Sequence, residues 1–455
     1  MTDIQIYLTL GVFATVILLI AFDVVDMVVA ALLGVCVLIM FDILDRGDLI
    51  QIVQTASGPL ALLFGGMVVA RVISRTGIFE WLEDAVLHAT AGSGKRLLLL
   101  IVALVALVCA ILPNATAVIL VAPIIVGVCR ALKVDFVGPL IITAIVSNAA
   151  GMLTLVGDPA TFLVGSAIGL SFIDYLRLVS LGGLLALLVI VPLLPRLLPE
   201  VWAARVTLPA KRRPVTIERP AFLALSLSVL VIMVVLFLVG ESLPNTIIPP
   251  QVAIIAASLA LLVVYGARIE PVGEVIRDVD WKTIVFLGAI FTLVQAFVKT
   301  ELLQGLSIQL YDWFGGDFMP VALLSLAGIG VLSSLLANIP VVAAALVMTT
   351  GYLVAAEAVP EIALGPGFTD WPDTTLPLFI AMMFGGTLGG NATLIGASAN
   401  VVAVGICAAH GKRVNFMQFL RIGLPIAALQ LFVGALYVLA LDAILGSGAL
   451  DSIAH

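Results

Sequence analysis

The feature of this sequence that most limits what it can fold into is the placement of the breaks in its apolar runs. Apolar segments of membrane-spanning length follow one another from end to end, and four of them are interrupted by Pro, Gly, Asn and Thr. A run of about 20 apolar residues reads as a membrane-crossing helix. Helix breakers at that depth are tolerated only where the freed backbone is buried in protein or lines a wet cavity. Composition agrees: 62% of residues are hydrophobic, 11% are charged and the mean hydropathy is +1.27. A soluble domain carries about 25% charged residues, so a water-soluble enzyme and a disordered chain are both excluded. The net charge of −7 excludes a nucleic-acid binder, which needs basic side chains for phosphates.

Single spans are expected at 5–22, 27–43, 57–74, 178–196, 220–240, 251–266, 283–298 and 422–446. Two double-length segments, 97–130 and 319–356, read as re-entrant hairpins. Two others, 137–170 and 375–409, read as discontinuous helices. The expected fold is thus an all-α polytopic membrane protein with five crossings in each half. Residues 1–199 form the first half, 200–219 a basic linker and 220–455 the second half. Arg205, Lys211, Arg212, Arg213 and Arg219 in the linker mark the cytoplasmic side. Both termini are then outside, in a cell inner membrane. The segment 357–373, also placed outside, has Glu357, Glu361, Asp370 and Asp373 and no basic residue. The first apolar run has no basic flank or small-residue cleavage site, so it reads as a retained span.

The halves resemble each other. Phe64-Gly65-Gly66 matches Phe286-Leu287-Gly288, and Leu112-Pro113-Asn114 matches Leu336-Ala337-Asn338. Thr154-Leu155-Val156-Gly157 matches Thr393-Leu394-Ile395-Gly396, and Phe172 to Arg177 matches Phe416 to Arg421. With an odd number of spans per half, the second copy must insert upside down. That is the inverted repeat of secondary transporters, which hold substrate near the midplane between broken helices.

The breaks carry the chemistry. The first runs from Ser147 and Asn148 through Thr154, Gly157 and Asp158 to Thr161. The second runs through Thr387, Asn391, Thr393, Ser398 and Asn400. Glycine lets the chain leave helical geometry, and Pro159 frees a carbonyl in the preceding turn. Exposed half-helix ends attract ions of either sign, while Asn, Ser and Thr both donate and accept. The hairpin tips bring Asn114 with Thr116 from one side and Asn338 from the other. Asp158 is the carboxylate placed at a break centre, where an ionised acid must be paired, hydrogen-bonded or protonated. It reads as a proton- or cation-coupling group or as a cap on the second half-helix. Its counterpart is Ala397, so coupling through it would be asymmetric. The four cysteines lie in apolar runs and read as small packing residues, with no disulfide or zinc spacing. No GxxxxGK[ST] loop occurs, so ATP could act only through a separate accessory ATPase.

At the two breaks the sequence resembles a known family. SNAAGMLTLVGDPATFLVG is similar to the SN-x-x-G-x-x-T-x-I-GDPPN element of the ion transporter superfamily, which has a citrate transporter-like domain. GGTLGGNATLIGASANVVAVGI resembles its second-half counterpart. The nearest branch groups arsenical pump-like permeases, D-type sodium/proton antiporters and the melanosomal P protein. The resemblance implies a homodimer, an elevator-like transport domain, and a site around Asn114, Ser147, Asn148, Thr154, Gly157, Asp158, Asn338, Asn391, Thr393, Ser398 and Asn400. Three departures stand out. Pro113 and Ala337 occupy places where many members carry an Asp, the Ser-Asn-Thr hairpin tips of sodium/dicarboxylate transporters are missing, and Ala160-Thr161 replaces the usual Pro-Asn.

The expected function is secondary active transport of a small inorganic oxyanion or metalloid hydroxide, of the arsenite, antimonite or silicic acid class. A pocket rich in amides and hydroxyls and poor in charge suits such a neutral solute. Proton-coupled efflux is the expected direction. The alternatives are a sodium/proton antiporter and a sodium-coupled di- or tricarboxylate symporter. No enzymatic activity and no cofactor are expected beyond sodium ion or proton as coupling ion, and the expected partners are the bilayer, the solute and a second copy of the chain.

Overall fold

The computed structural model describes residues 3–21, 24–110, 112–206, 217–300, 302–336, 338–364 and 368–446. Linker residues Lys211, Arg212 and Arg213, hairpin-tip residue Ala337 and the C-terminal stretch 447–455 lie outside them. Among the described residues the regular structure is helical apart from one isolated bridge between Ser93 and Arg205. The first half contains α1 Asp3–Ala21, α2 Met27–Met40, α3 Arg46–Ser74, α4 Ile78–Thr90, α5 Gly94–Cys109 and α6 Asn114–Ala131. It continues with α7 Val137–Gly151, α8 Pro159–Ala167, α9 Phe172–Leu178, α10 Ser180–Leu188, α11 Leu194–Leu197 and α12 Pro199–Ala203. The second half begins with α13 Pro220–Val239, α14 Pro249–Ala267, α15 Val272–Arg277, α16 Trp281–Lys299 and α17 Leu302–Phe314. Then come α18 Phe318–Leu335, α19 Asn338–Ala355, α20 Leu376–Gly389, α21 Ser398–Ala409 and α22 Phe416–Gly446.

Among the described residues, eight helices are long and apolar enough to cross a membrane, or nine if the bent pair Pro159–Ala167 and Phe172–Leu178, angled at 107°, forms one span. The chain is a multi-span integral membrane protein. The segments 137–170 and 375–409 are each divided, with helix ending at Gly151 and Gly389 and resuming at Pro159 and Ser398. Neither half-helix is long enough to cross alone. The span expected at 178–196 is present as Ser180–Leu197, but it is not one continuous α-helix. Helix α10 stops at Leu188 and a 3-10 turn, Val191–Leu193, precedes α11. Pro192 and Pro195 remove two backbone donors there. Helix α3 starts earlier than its apolar run, because Asp45 and Asp48 form a reciprocal capping box at its N-terminus. Such a cap satisfies two orphan N–H groups.

Every residue of α20 is buried, and nearly every residue of α7. A helix apolar all round belongs inside, and these two form the centre of the molecule. By contrast, only 28% of the α13 span is buried, leaving its apolar side chains for lipid. Packing follows the sequence matches. Helix α6 lies against α21, and its counterpart α19 lies against α8; α3 lies against α14, and α16 against α2. Each helix of these pairs therefore meets a helix from the other half.

A polar joint sits at the end of α16. Lys299 Nζ donates to Asp45 Oδ2 at 2.8 Å and to Asp48 Oδ2 at 2.6 Å. The lysine hydrogen bond, helped by the backbone N–H groups of Asp48 and Gly47, holds the Asp45 carboxyl at about 2, below its ordinary 3.8. A lowered acid stabilises the fold above its unfolded value, and that contribution disappears as pH falls through the folded value. Lys299→Ala should therefore lower the melting temperature at neutral pH. The gap to wild type should close between pH 3.8 and about 2; a gap constant over that window in scanning fluorimetry would refute the assignment.

Candidate functional site

Two turns set the site. After α7 the backbone turns at Met152 and runs non-helically to Asp158, which caps α8 while Pro159 opens it. Pro is pre-organised for a first helical position. In the second half, α20 passes through a 3-10 turn, Gly390–Ala392, before the extended backbone at Thr393. Each turn is stapled to a hairpin. Thr154 Oγ1 donates to the carbonyl of Ala110 at 2.6 Å, and its counterpart Thr393 donates to the carbonyl of Ser334. The two acceptors themselves correspond, by the offset of 224 that relates Asn114 to Asn338.

Glycine is required at both turns by close approach. A Cβ on Gly157 would fall 2.5 Å from the carbonyl oxygen of Gly151 and 2.8 Å from that of Cys109. A Cβ on the matching Gly396 would fall 2.5 Å from the oxygen of Gly390 and 2.9 Å from that of Ser333. These four neighbours also correspond pairwise. Backbone atoms cannot move aside as a flexible side chain can, so only hydrogen fits.

The first cluster surrounds Asp158, which is 2% exposed. Its Oδ1 accepts from Asn114 Nδ2 at 3.2 Å. Its Oδ2 accepts from Thr387 Oγ1 at 3.0 Å and from the backbone N–H of Thr161 at 3.3 Å. Asn338 lies within reach of the same carboxylate. Both hairpin tips, the first break and the helix before the second break thus meet at one acid. Asp158 caps α8, as one of its two expected roles requires, and it also faces the other elements, as the other would. Asn114 Oδ1 is buried and accepts no hydrogen bond from protein. An orphaned buried acceptor costs about 1–3 kcal/mol, and a cation or proton donor is the chemistry that would satisfy it.

The second cluster is a chain of amides. Asn148 Nδ2 donates to Asn391 Oδ1 at 2.9 Å and to Asn400 Oδ1 at 3.3 Å. Asn400 Nδ2 donates to the carbonyls of Gly390 and Thr393. Asn391 Nδ2 donates to Gln430 Oε1 at 2.8 Å, and Gln430 Nε2 to the carbonyl of Ala186 at 2.9 Å. All four side chains are at most 1% exposed. Gln430 is not among the residues expected from the sequence. A Gln in the apolar middle of the long helix α22 is the signal that points to it, because a buried amide is retained only where it is hydrogen-bonded.

The remaining expected residues fall elsewhere. Ser147 Oγ donates within its own helix to the carbonyl of Ala144. Thr116 is half-buried and Ser398, which opens α21, is exposed. Cys109 is fully buried and meets the site through its backbone. Among the described residues no group of three or more His, Cys, Asp or Glu is arranged to hold a metal.

A cavity of about 720 Å³ lies between α3, α8, α14, α16 and α19 and reaches the first break at Leu155. Phe291, Phe368 and Trp371 give it aromatic walls, and among the described residues Glu241 is its one lining side chain of formal charge. Its lining also includes Gly169, Leu170, Ser171, Thr246 and Ile248.

Comparison with known proteins agrees with this architecture. The chain is 42% identical over 432 residues to an uncharacterized transporter of Synechocystis sp., covering 94% of this chain and 96% of that one. It is 26% identical over 525 residues to the human P protein, covering 98% of this chain and 61% of that longer protein. The crystal structure of the YdaH transporter of Alcanivorax borkumensis, described as having an unusual topology, shares the fold. It aligns with a TM-score of 0.54 at 14% identity and covers 87% of this chain and 88% of that one. The citrate transporter (CitMHS) family matches residues 17–366. The chain belongs to that family and is a membrane transporter.

Proposed function

We propose that this transporter is a secondary active one in which Asp158 binds the coupling ion, a proton or sodium ion. The observation that carries the reading is the buried carboxylate beside the orphaned oxygen of Asn114. A carboxylate among neutral amides and hydroxyls favours a positive partner. The solute is a small uncharged hydroxide of the arsenite, antimonite or silicic acid class, and the ion gradient drives efflux. Among the described residues no basic side chain lines the cavity or joins either cluster, which disfavours a di- or trianion unless a cation enters with it. Sodium/proton antiport is the second reading, because the same two oxygens can hold the cation as cargo.

On this reading the two halves are oppositely inserted and the basic linker is cytoplasmic. The loop residues that line the cavity are then on the outer side, which makes the described state outward-facing. Transport is an elevator motion of the hairpins and broken helices against α1–α3, α13, α14 and α16, within a homodimer in a cell inner membrane.

Proteoliposomes test the proposal. Solute-dependent proton or sodium movement is measured with arsenite, sodium and citrate in turn. Arsenite-evoked proton flux is the expected result; a sodium-driven signal indifferent to arsenite selects the antiport reading, and ion flux with citrate alone rejects both. Asn114→Ala removes a hydrogen bond to a charged group, worth about 1.5–3 kcal/mol. The half-saturating ion concentration should then rise by about 10- to 150-fold. Asn338→Ala should act in the same direction. Wild-type values in both variants would mean that the hairpin tips do not hold the ion.

A further inference from the structure

The offset of 239 that relates Thr154 to Thr393 also pairs the two buried clusters position by position. Asn148 corresponds to Thr387, Asp158 to Ala397 and Thr161 to Asn400. In the first cluster Thr387 donates to Asp158, and Asp158 accepts from Thr161. In the second, the counterpart donor Asn148 reaches Asn400 Oδ1 at 3.3 Å, and position 397 carries only a methyl group. An amide oxygen on the next turn thus takes the hydrogen bond that a carboxylate takes in the first half.

The substitution is carried through to the end of the chain of amides. Both Nδ2 hydrogens of Asn148 have acceptors, and so do both of Asn400. Asn391 passes on to Gln430, and Gln430 ends on the carbonyl of Ala186. Ala186 is the counterpart of Gln430 by the offset of 244 that relates Phe172 to Phe416. Among the described residues, the buried side-chain atoms lacking any partner are Asn114 Oδ1 and Glu270 Oε1. The first cluster therefore has an orphaned oxygen beside an acid, and the second has neither.

We infer that the second break binds no ion: the amides of Asn148, Asn391, Asn400 and Gln430 occupy the place of a second coupling site, and the cycle is coupled through one ion at Asp158. This rests on the reading of Asp158 given above. Gln430 is a positioning residue in this scheme. It holds Asn391, and through it Asn148, so that the second break keeps its turn while the first exchanges its ion. The chemical reason is economy of charge. Two carboxylates at paired breaks would each need a cation in every loaded state, whereas neutral amides satisfy one another in all of them.

The test is the dependence of initial transport rate on coupling-ion concentration, in wild-type, Asp158→Asn and Gln430 variants in proteoliposomes. A Hill coefficient cannot exceed the number of sites. Wild type should give a coefficient of about one, and Asp158→Asn should show no ion dependence over the concentrations that saturate wild type. A wild-type coefficient of about two that falls to about one in Asp158→Asn would establish a second site and overturn the inference. The Asp158 reading would survive that result. Ion dependence unchanged in Asp158→Asn would instead reject the reading itself, and the inference with it. Gln430→Ala should lower the maximal rate by about tenfold or more while moving the half-saturating ion concentration by less than about twofold. Gln430→Glu, which keeps an acceptor for Asn391, should recover part of the rate. A Gln430 variant that shifts ion affinity as far as Asn114→Ala does would place Gln430 at the ion and contradict its positioning role.

Discussion

Asp158→Asn is expected to give a folded, membrane-inserted protein in which ion gradients no longer drive transport. The amide keeps the volume of the acid and an oxygen to accept from Thr387 and from the backbone of Thr161, so α8 stays capped. What disappears is the charge. Removing one partner of a buried, hydrogen-bonded charge pair costs about 2–5 kcal/mol. At about 3 kcal/mol the loss of ion affinity is about 150-fold, enough to empty the site at ordinary ion concentrations. Solute could still exchange down its own gradient, so counterflow should persist while uphill accumulation is lost. Retention of uphill transport by this variant would remove Asp158 from the coupling mechanism.

Gly157→Ala is expected to do more structural harm than any side-chain deletion in the site. The added methyl would meet backbone oxygens of Gly151 and Cys109, at 2.5 and 2.8 Å. Overpacking a well-packed interior costs about 1–3 kcal/mol where side chains can shift, and here the obstacles are backbone. The turn must open, which moves Asp158, the next residue in the chain, away from Asn114. Gly396→Ala should cost as much, because its neighbours are the matching oxygens of Gly390 and Ser333. Detergent-solubilised variants should melt well below wild type, and transport should be lost in both. A Gly157→Ala protein of wild-type stability would show that the first break is less tightly built than the geometry requires.

Much of this architecture is legible in the sequence because helix breakers inside apolar runs are rare and costly. Pro113-Asn114 and Asn338 mark the hairpin tips, and the Gly-Asp-Pro at 157–159 marks the first break to within a residue. The all-helical membrane fold and the family follow from these signals. Other features require the third dimension. Thr154 and Thr393 read as candidate ligands because a hydroxyl at a break can serve that role; that each also donates its proton to a hairpin carbonyl is not visible in the sequence. Asn148, Asn391 and Asn400 read as pocket walls, but an amide in a sequence does not show which partner will take its hydrogens. Gln430 gives no periodic signal at all, since a single amide in the apolar stretch 422–441 of a 31-residue helix leaves the pattern unchanged. The departure at Ala397 is visible in sequence. Its consequence is not, because it depends on Asn400 lying where Asn148 can reach it.

Charge economy also bears on the proposed substrate. The cavity that leads to the first break has aromatic walls, and its one formally charged side chain among the described residues is Glu241. A polycarboxylate crossing it would meet like charge at Glu241 and again at Asp158. A neutral solute or a cation meets no such opposition, consistent with the proposed hydroxide substrate and with antiport alike.

On the proposed mechanism the coupling ion is bound by Asp158 itself. Infrared difference spectroscopy on the purified protein, recorded on adding and removing the coupling ion, reads this directly. A carboxylate band should change on ion addition in wild type and be missing from the difference spectrum of Asp158→Asn. An identical difference spectrum in the two proteins would contradict that mechanism.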